Sequence, residues 1–154
     1  MGAVDVPAVG DTGVAAYADA VANQINQMHA FITVANPNVS TPGAGTATWV
    51  TMGNVTVPTW ATRGRVCLAM SGLSGSAAGS NADVAVKIGT STGVAHRITA
   101  QVITTRFGVG FNDLLTSVPT GSQSVIVQAS FVGTGTIAAP SSACLFDLNI
   151  DWMQ

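Results

Sequence analysis

Cys144-Leu145-Phe146-Asp147-Leu148-Asn149-Ile150-Asp151-Trp152-Met153 alternates without a break. Cys144, Phe146, Leu148, Ile150 and Trp152 form one stripe, and Leu145, Asp147, Asn149, Asp151 and Met153 fall between them. A period of two sustained over this length marks a strand with one face in a core and the other toward water. Upstream, Val125, Val127, Ala129 and Phe131 repeat the pattern, and so do Val84, Val86 and Ile88. Candidate strands fall at 48–57, 64–71, 82–88, 94–104, 106–111, 123–132 and 143–153. Gly- and Ser-rich turns join them, at Gly72–Asn81, Gly89–Gly93, Gly121–Ser122 and Gly133–Ser142. Short strands with such connections predict an all-β domain over residues 47–154, a jelly-roll-like antiparallel β-sandwich.

Before that domain the period changes. Residues 1–10 carry Pro7 and Gly10 and no strong period, and read as an extended N-terminal arm. Asp11-Thr12 offers an N-cap, and no Pro or Gly occurs between Gly13 and Asn36, so one amphipathic α-helix is expected over 11–35. Val14, Val21 and Met28 recur every seven residues, and Ala18, Ile25 and Ile32 do the same four residues on. That is the a/d spacing of a heptad seam. Such a stripe either covers the chain's own β domain or joins copies of the chain. The strict spacing, and the marginal stability of a lone helix in water, favour an oligomerising helix. Residues 36–46, with Asn36-Pro37-Asn38 and Thr41-Pro42-Gly43, are a linker of turn formers.

Composition narrows the function classes. Only 8% of the 154 residues are charged, against about 25% in a typical soluble domain. The net charge of −2, with Arg63, Arg65, Lys87, Arg97 and Arg106 as the only basic residues, leaves no electrostatic footprint for nucleic acid. No apolar run approaches the roughly 18 residues of a spanning helix, so membrane insertion is not expected. The start of the chain lacks the basic and apolar regions of a signal peptide, and synthesis in a cytoplasm is expected. Val6 stands where a myristoylation motif requires Ser or Thr. An uncharged polar surface suits a protein packed permanently against neighbours. Cys67 and Cys144 are the only cysteines. A single disulfide and two free thiols are both open, and a reducing compartment favours free thiols.

No cofactor, metal or catalytic site is expected. Gly89-Thr90-Ser91-Thr92-Gly93 matches the GxSxG nucleophile elbow, whose serine must sit on a turn from strand to helix. Here the pentapeptide lies between two strand-like runs, and no histidine follows Asp113, Asp147 or Asp151. Asp147 and Asp151 share a strand face more than about 10 Å apart, too far for an acid–base pair. They are expected to keep an exposed strand soluble. His29 sits beside the helical seam as a rim histidine. Trp152 belongs to a core stripe, whereas Trp49 and Trp60 read either as core residues or as a platform on which a glycan could stack.

Trp49-Val50-Thr51-Met52-Gly53-Asn54-Val55-Thr56-Val57-Pro58-Thr59-Trp60-Ala61-Thr62-Arg63 resembles a recurring element of virion proteins of tailed bacteriophages, above all those infecting high-GC actinobacteria. Gly10-Asp11-Thr12, followed by a helix with Ala18-Asp19-Ala20-Val21, looks like the start of such proteins. The resemblance implies a non-enzymatic virion structural protein on the outer surface of a capsid or tail, made in the host cytoplasm. One role it implies is a capsid decoration (minor capsid) protein, a homotrimer that binds the major capsid protein or other virion proteins. The seam of Val14, Ala18, Val21, Ile25, Met28 and Ile32 would then be the oligomer interface. Val4, Val6, Pro7 and Val9 would form a capsid-contact arm. The other role is a minor tail or head-fibre protein that meets a host-surface glycan.

Overall fold

The structure, a computed structural model, describes residues 14–40, 46–100, 106–132, 135–140 and 142–154. Helix α1 (Val14–Asn26) is followed by β1 (His29–Ala35), β2 (Val39–Ser40), β3 (Thr46–Val57), β4 (Arg63–Gly75) and β5 (Asn81–Ile88). Next come β6 (Ser91–Thr92), β7 (His96–Thr99), β8 (Phe107–Thr116), β9 (Gly121–Val132), β10 (Ile137–Ala139) and β11 (Leu145–Met153). One sheet runs β1, β11, β4, β8, with β10 and β2 continuing at the end of β4. The other runs β3, β9, β5, with β6 and β7 along the far side of β5.

Setting aside the short β2, β6 and β10, the chain pairs first strand with last and then inward. β1 pairs with β11, β3 with β9, β4 with β8 and β5 with β7, all antiparallel. Successive pairs alternate between the two sheets. Nested pairs rolled up in this way make a jelly roll, so the fold class expected from the alternation is the one observed.

The stripes of the sequence become the inner faces. Leu68 and Met70 of β4 and Phe146, Leu148, Ile150 and Trp152 of β11 are buried, as are Val125 and Val127 of β9 and Val84, Val86 and Ile88 of β5. Each large side chain so placed contributes about 1.5–3 kcal/mol relative to exposure. In β3 the strict alternation breaks. The pairing with β9 shifts register between Thr48 and Val50 and again between Thr51 and Gly53. A bulge gives one strand an extra residue, so Trp49 and Val50 are both buried in succession. Gly53 takes the left-handed φ of 126° that the second irregularity requires.

The helix is shorter than expected. It ends at Asn26, and residues 29–35 form β1 rather than a continuation of a helix to 35. Met28 therefore lies in the turn after the helix, and Ile32 lies on a strand. The reason is a coincidence of periods. A step of four, as from Met28 to Ile32, puts two residues on one face of a helix and also on one face of a strand. The even positions Ala30, Ile32 and Val34 pack against the core, and pairing with β11 resolves the ambiguity in favour of the strand. The β body consequently begins at His29, not at 47, and β2 falls inside the stretch expected to be linker.

Two further expectations change. β11 is not an exposed edge, because β1 covers it on one side and β4 on the other. Its outward carboxylates are cross-strand partners instead: Thr33 Oγ donates to Asp147 at 2.7 Å, and His29 Nδ1 lies 2.7 Å from Asp151. The candidate strand 94–104 is represented among the described residues by β7, His96–Thr99, and residues 101–105 lie outside them.

Candidate self-association surface

Among the described residues the candidate reactive groups do not converge on one place. Ser91 of the GxSxG match lies on β6, which turns back onto β5, and its Oγ donates to the Thr116 carbonyl at 2.7 Å. Gly89, with φ 57°, makes the tight turn, so the pentapeptide is a hairpin. His96 stacks on Phe111 with ring centroids 4.2 Å apart. Asp83 is held by Arg97 through bonds of 2.8 and 3.0 Å, and that hydrogen bonding keeps its carboxyl below the usual range. Among the described residues no three His, Cys, Asp or Glu side chains gather as a metal site would require. Cys67 is exposed and Cys144 is buried, both as free thiols, and burial pushes the Cys144 thiol up.

The tryptophans separate. Trp49 is 3% exposed and meets Phe146 edge-to-face, centroids 5.4 Å apart. It is a core residue and cannot be a glycan platform, because the bulge in β3 turns it inward. Trp60 is half-buried and packed against the core. Neither indole N–H has a hydrogen-bond partner.

The helix supplies the surface. Among the described residues no strand packs along the length of α1. Ala18 is exposed, Val21 half-buried and Ile25 53% exposed. Of the expected seam, the structure keeps Val14, Ala18, Val21 and Ile25 on one helix, while Met28 and Ile32 have left it. Ile32 belongs to the body's own core margin and does not extend a helical seam. The expected arm residues Val4, Val6, Pro7 and Val9 lie outside the described residues.

Directly after the helix lies a feature that the sequence reading missed. β1 and β3 are edge strands of the two sheets, and a groove of about 650 Å³ opens between them. Consecutive residues line it, His29 to Ile32 on one side and Asn54 to Thr59 on the other, together with Gln27 and Gly121. Strands that contribute consecutive residues present a backbone edge. Hydrogen-bond parity shows which groups of β1 are involved. Met28 C=O accepts from Trp152 N–H, and Asn36 N–H donates to Cys144 C=O, so the even positions face β11. The backbone N–H and C=O of His29, Phe31, Thr33 and Ala35 therefore point to the open side.

Nothing among the described residues pairs with that edge. Edge strands are normally blunted by lysine, proline, a bulge or a cover. β1, His-Ala-Phe-Ile-Thr-Val-Ala, has no lysine or proline and keeps an unbroken register with β11. Phe31 is 63% exposed on its outer face. The opposite edge, β8, is treated differently: Ser91, the Val94 N–H bonded to Asp113, and His96 over Phe111 lay the β6–β7 segment against it. Among the described residues, the β8 edge of the sheet is covered and the β1 edge is not.

No known protein family matches the chain, and no curated relative does. Solved structures with a similar fold include the tripod from the baseplate of bacteriophage Tuc2009, at 13% identity and TM-score 0.42, covering 98% of this chain and 75% of that one. Two chains of infectious bursal disease virus are also similar. The Gt strain particle matches at 12% identity and TM-score 0.42, over 80% of this chain and 36% of that one. The VP2 subviral particle matches at 10% identity and TM-score 0.40, over 82% and 38%. This chain thus spans under two fifths of either infectious bursal disease virus chain, and at such scores the likenesses carry no functional weight.

Proposed function

We propose that this chain is a non-enzymatic structural protein of a tailed-phage virion, a homotrimer that decorates the assembled capsid. The observation that carries the self-association is α1. Its residues Ala18, Val21 and Ile25 pack along no strand among the described residues, and a 13-residue helix is marginal alone in water. Sister helices are the cover that the spacing fits. The resemblance of residues 49–63 and of the N-terminal stretch to phage virion proteins supports the virion setting, and the sparsely charged surface suits permanent packing. The trimeric number comes from that resemblance.

The action is thermodynamic, with no bond made or broken. A trimer engages several shell subunits at once, so weak contacts reinforce one another through effective concentration. Binding the assembled shell and not its free subunits stabilises the shell by mass action. The N-terminal arm, with Val4, Val6, Pro7 and Val9, extends the reach of each subunit to a neighbour. The competing role, a tail or head-fibre protein with a glycan surface, loses Trp49 as a platform. Adding the purified protein to heads that lack it tests the decoration role. Filling of three-fold positions on the head supports it, and attachment to tails alone overturns it.

A further inference from the structure

We infer that the open edge of β1 is a strand-acceptor site, and that its occupant is the N-terminal segment Ala3–Val9 of a sister subunit. This rests on the self-association proposed above and moves the arm's seat from the capsid surface to a copy of the same chain.

The edge sets the requirements. It offers outward N–H and C=O groups at alternate residues, His29, Phe31, Thr33 and Ala35, beside a groove of about 650 Å³. Main-chain pairing of an extended segment with such an edge is a general mode of recognition. The groove lining contains no lysine, arginine or carboxylate, so the guest should be extended and nearly uncharged. Ala3-Val4-Asp5-Val6-Pro7-Ala8-Val9 meets that description.

Pro7 provides a sharper check. It has no N–H, so on an edge it must fall between bonded positions. Val4, Val6 and Ala8 then occupy the bonded positions, opposite the odd residues of β1. Directly opposed residues share a face, so these side chains come to lie beside Phe31 and cover its exposed ring. Pro7 and Val9 turn to the inner face, next to Ala30 and Ile32. Asp5 has the same inner parity, where Asn54 and Thr56 in the groove wall offer hydrogen-bond donors.

A sister subunit is favoured over the arm's own body by the helix between them. Thirteen residues precede α1, and ten extended residues reach about 33 Å. With α1 packed among sister helices instead of along its own strands, each arm starts beside a neighbour. Passing every arm to the next subunit is a heterologous contact, and in the trimer proposed above the ring of such contacts closes at three copies.

Disulfide trapping in the full chain tests the assignment. In a Cys67→Ser background, Val6→Cys is combined in turn with His29→Cys, Phe31→Cys or Thr33→Cys and oxidised. The expected result is covalent dimers and trimers from at least one pair, lost when either new cysteine is omitted. A link within a single chain would overturn the exchange between subunits. An oligomer of unchanged mass that traps with none of the three pairs would overturn the acceptor site and leave self-association standing. A monomer by light scattering would remove the self-association itself. Deleting Gly2–Gly10 adds a capsid-free readout. The isolated oligomer should dissociate at higher protein concentration than the parent, whereas an arm seated only on the capsid would leave it unchanged.

Discussion

Gly72 takes φ +72° in β4, where the pairing with β8 slips between Met70 and Leu73. A Cβ there would stand 1.8 Å from the carbonyl oxygen of Ala143, which is backbone and cannot swing away. Gly72→Ala is therefore expected to lose more than about 1 kcal/mol of stability, read as a lowered denaturant midpoint at unchanged slope. Trp49 gives a contrast between two substitutions. Trp49→Ala leaves a cavity against Phe146 and should cost about 3–5 kcal/mol. Trp49→Phe also removes a buried N–H that has no partner, and should cost much less. The thiols differ by burial, so a maleimide on the native protein should label Cys67 and spare Cys144. Labelling of both at equal rates would contradict the buried position of Cys144. Asp83 supplies the pH dependence. Its folded pKa lies below the ordinary 3.8, so its bond to Arg97 stabilises the fold above that value and is lost as pH falls through the folded pKa. Asp83→Asn should accordingly differ from the parent at neutral pH, slightly because the pair is solvent-screened, and converge with it in acid.

The elements show what was legible in the chain and what was not. β11, β9 and β5 were readable because each buries one face, so that alternation in sequence maps directly onto the core. β1 was not, since the step from Met28 to Ile32 satisfies helix and strand alike and only the pairing with β11 decides between them. The acceptor groove was hidden for the same reason: it is built from the backbone edge of a strand that read as helix. Bulges also escape a period-two reading, which is why a glycan platform stayed open for Trp49 beside the core position it takes. The helix carries its own prediction. Ile25→Asp, at a position 53% exposed in the single subunit, should leave the β body's stability nearly unchanged. It should also dissociate the oligomer and lower the helical signal in circular dichroism, because a freed 13-residue helix frays.

In the molecule, two sheets enclose an apolar interior, the β6–β7 segment lies against the β8 edge, and among the described residues nothing pairs with the β1 edge or packs along the helix leading to it. The β1 edge and the helix adjoin at Gln27–Met28, so one assembly can cover both. The nesting of first strand with last could not be read from the sequence, because it depends on contacts between residues more than a hundred positions apart, such as His29 with Asp151. Size-exclusion chromatography with light scattering on the intact chain is the most direct test of the covered helix. Subunits joined through α1 predict a species near three times 15.5 kDa that falls toward the single-chain mass when Ile25 is replaced by Asp. A parent protein that stays at 15.5 kDa at micromolar concentration would contradict it.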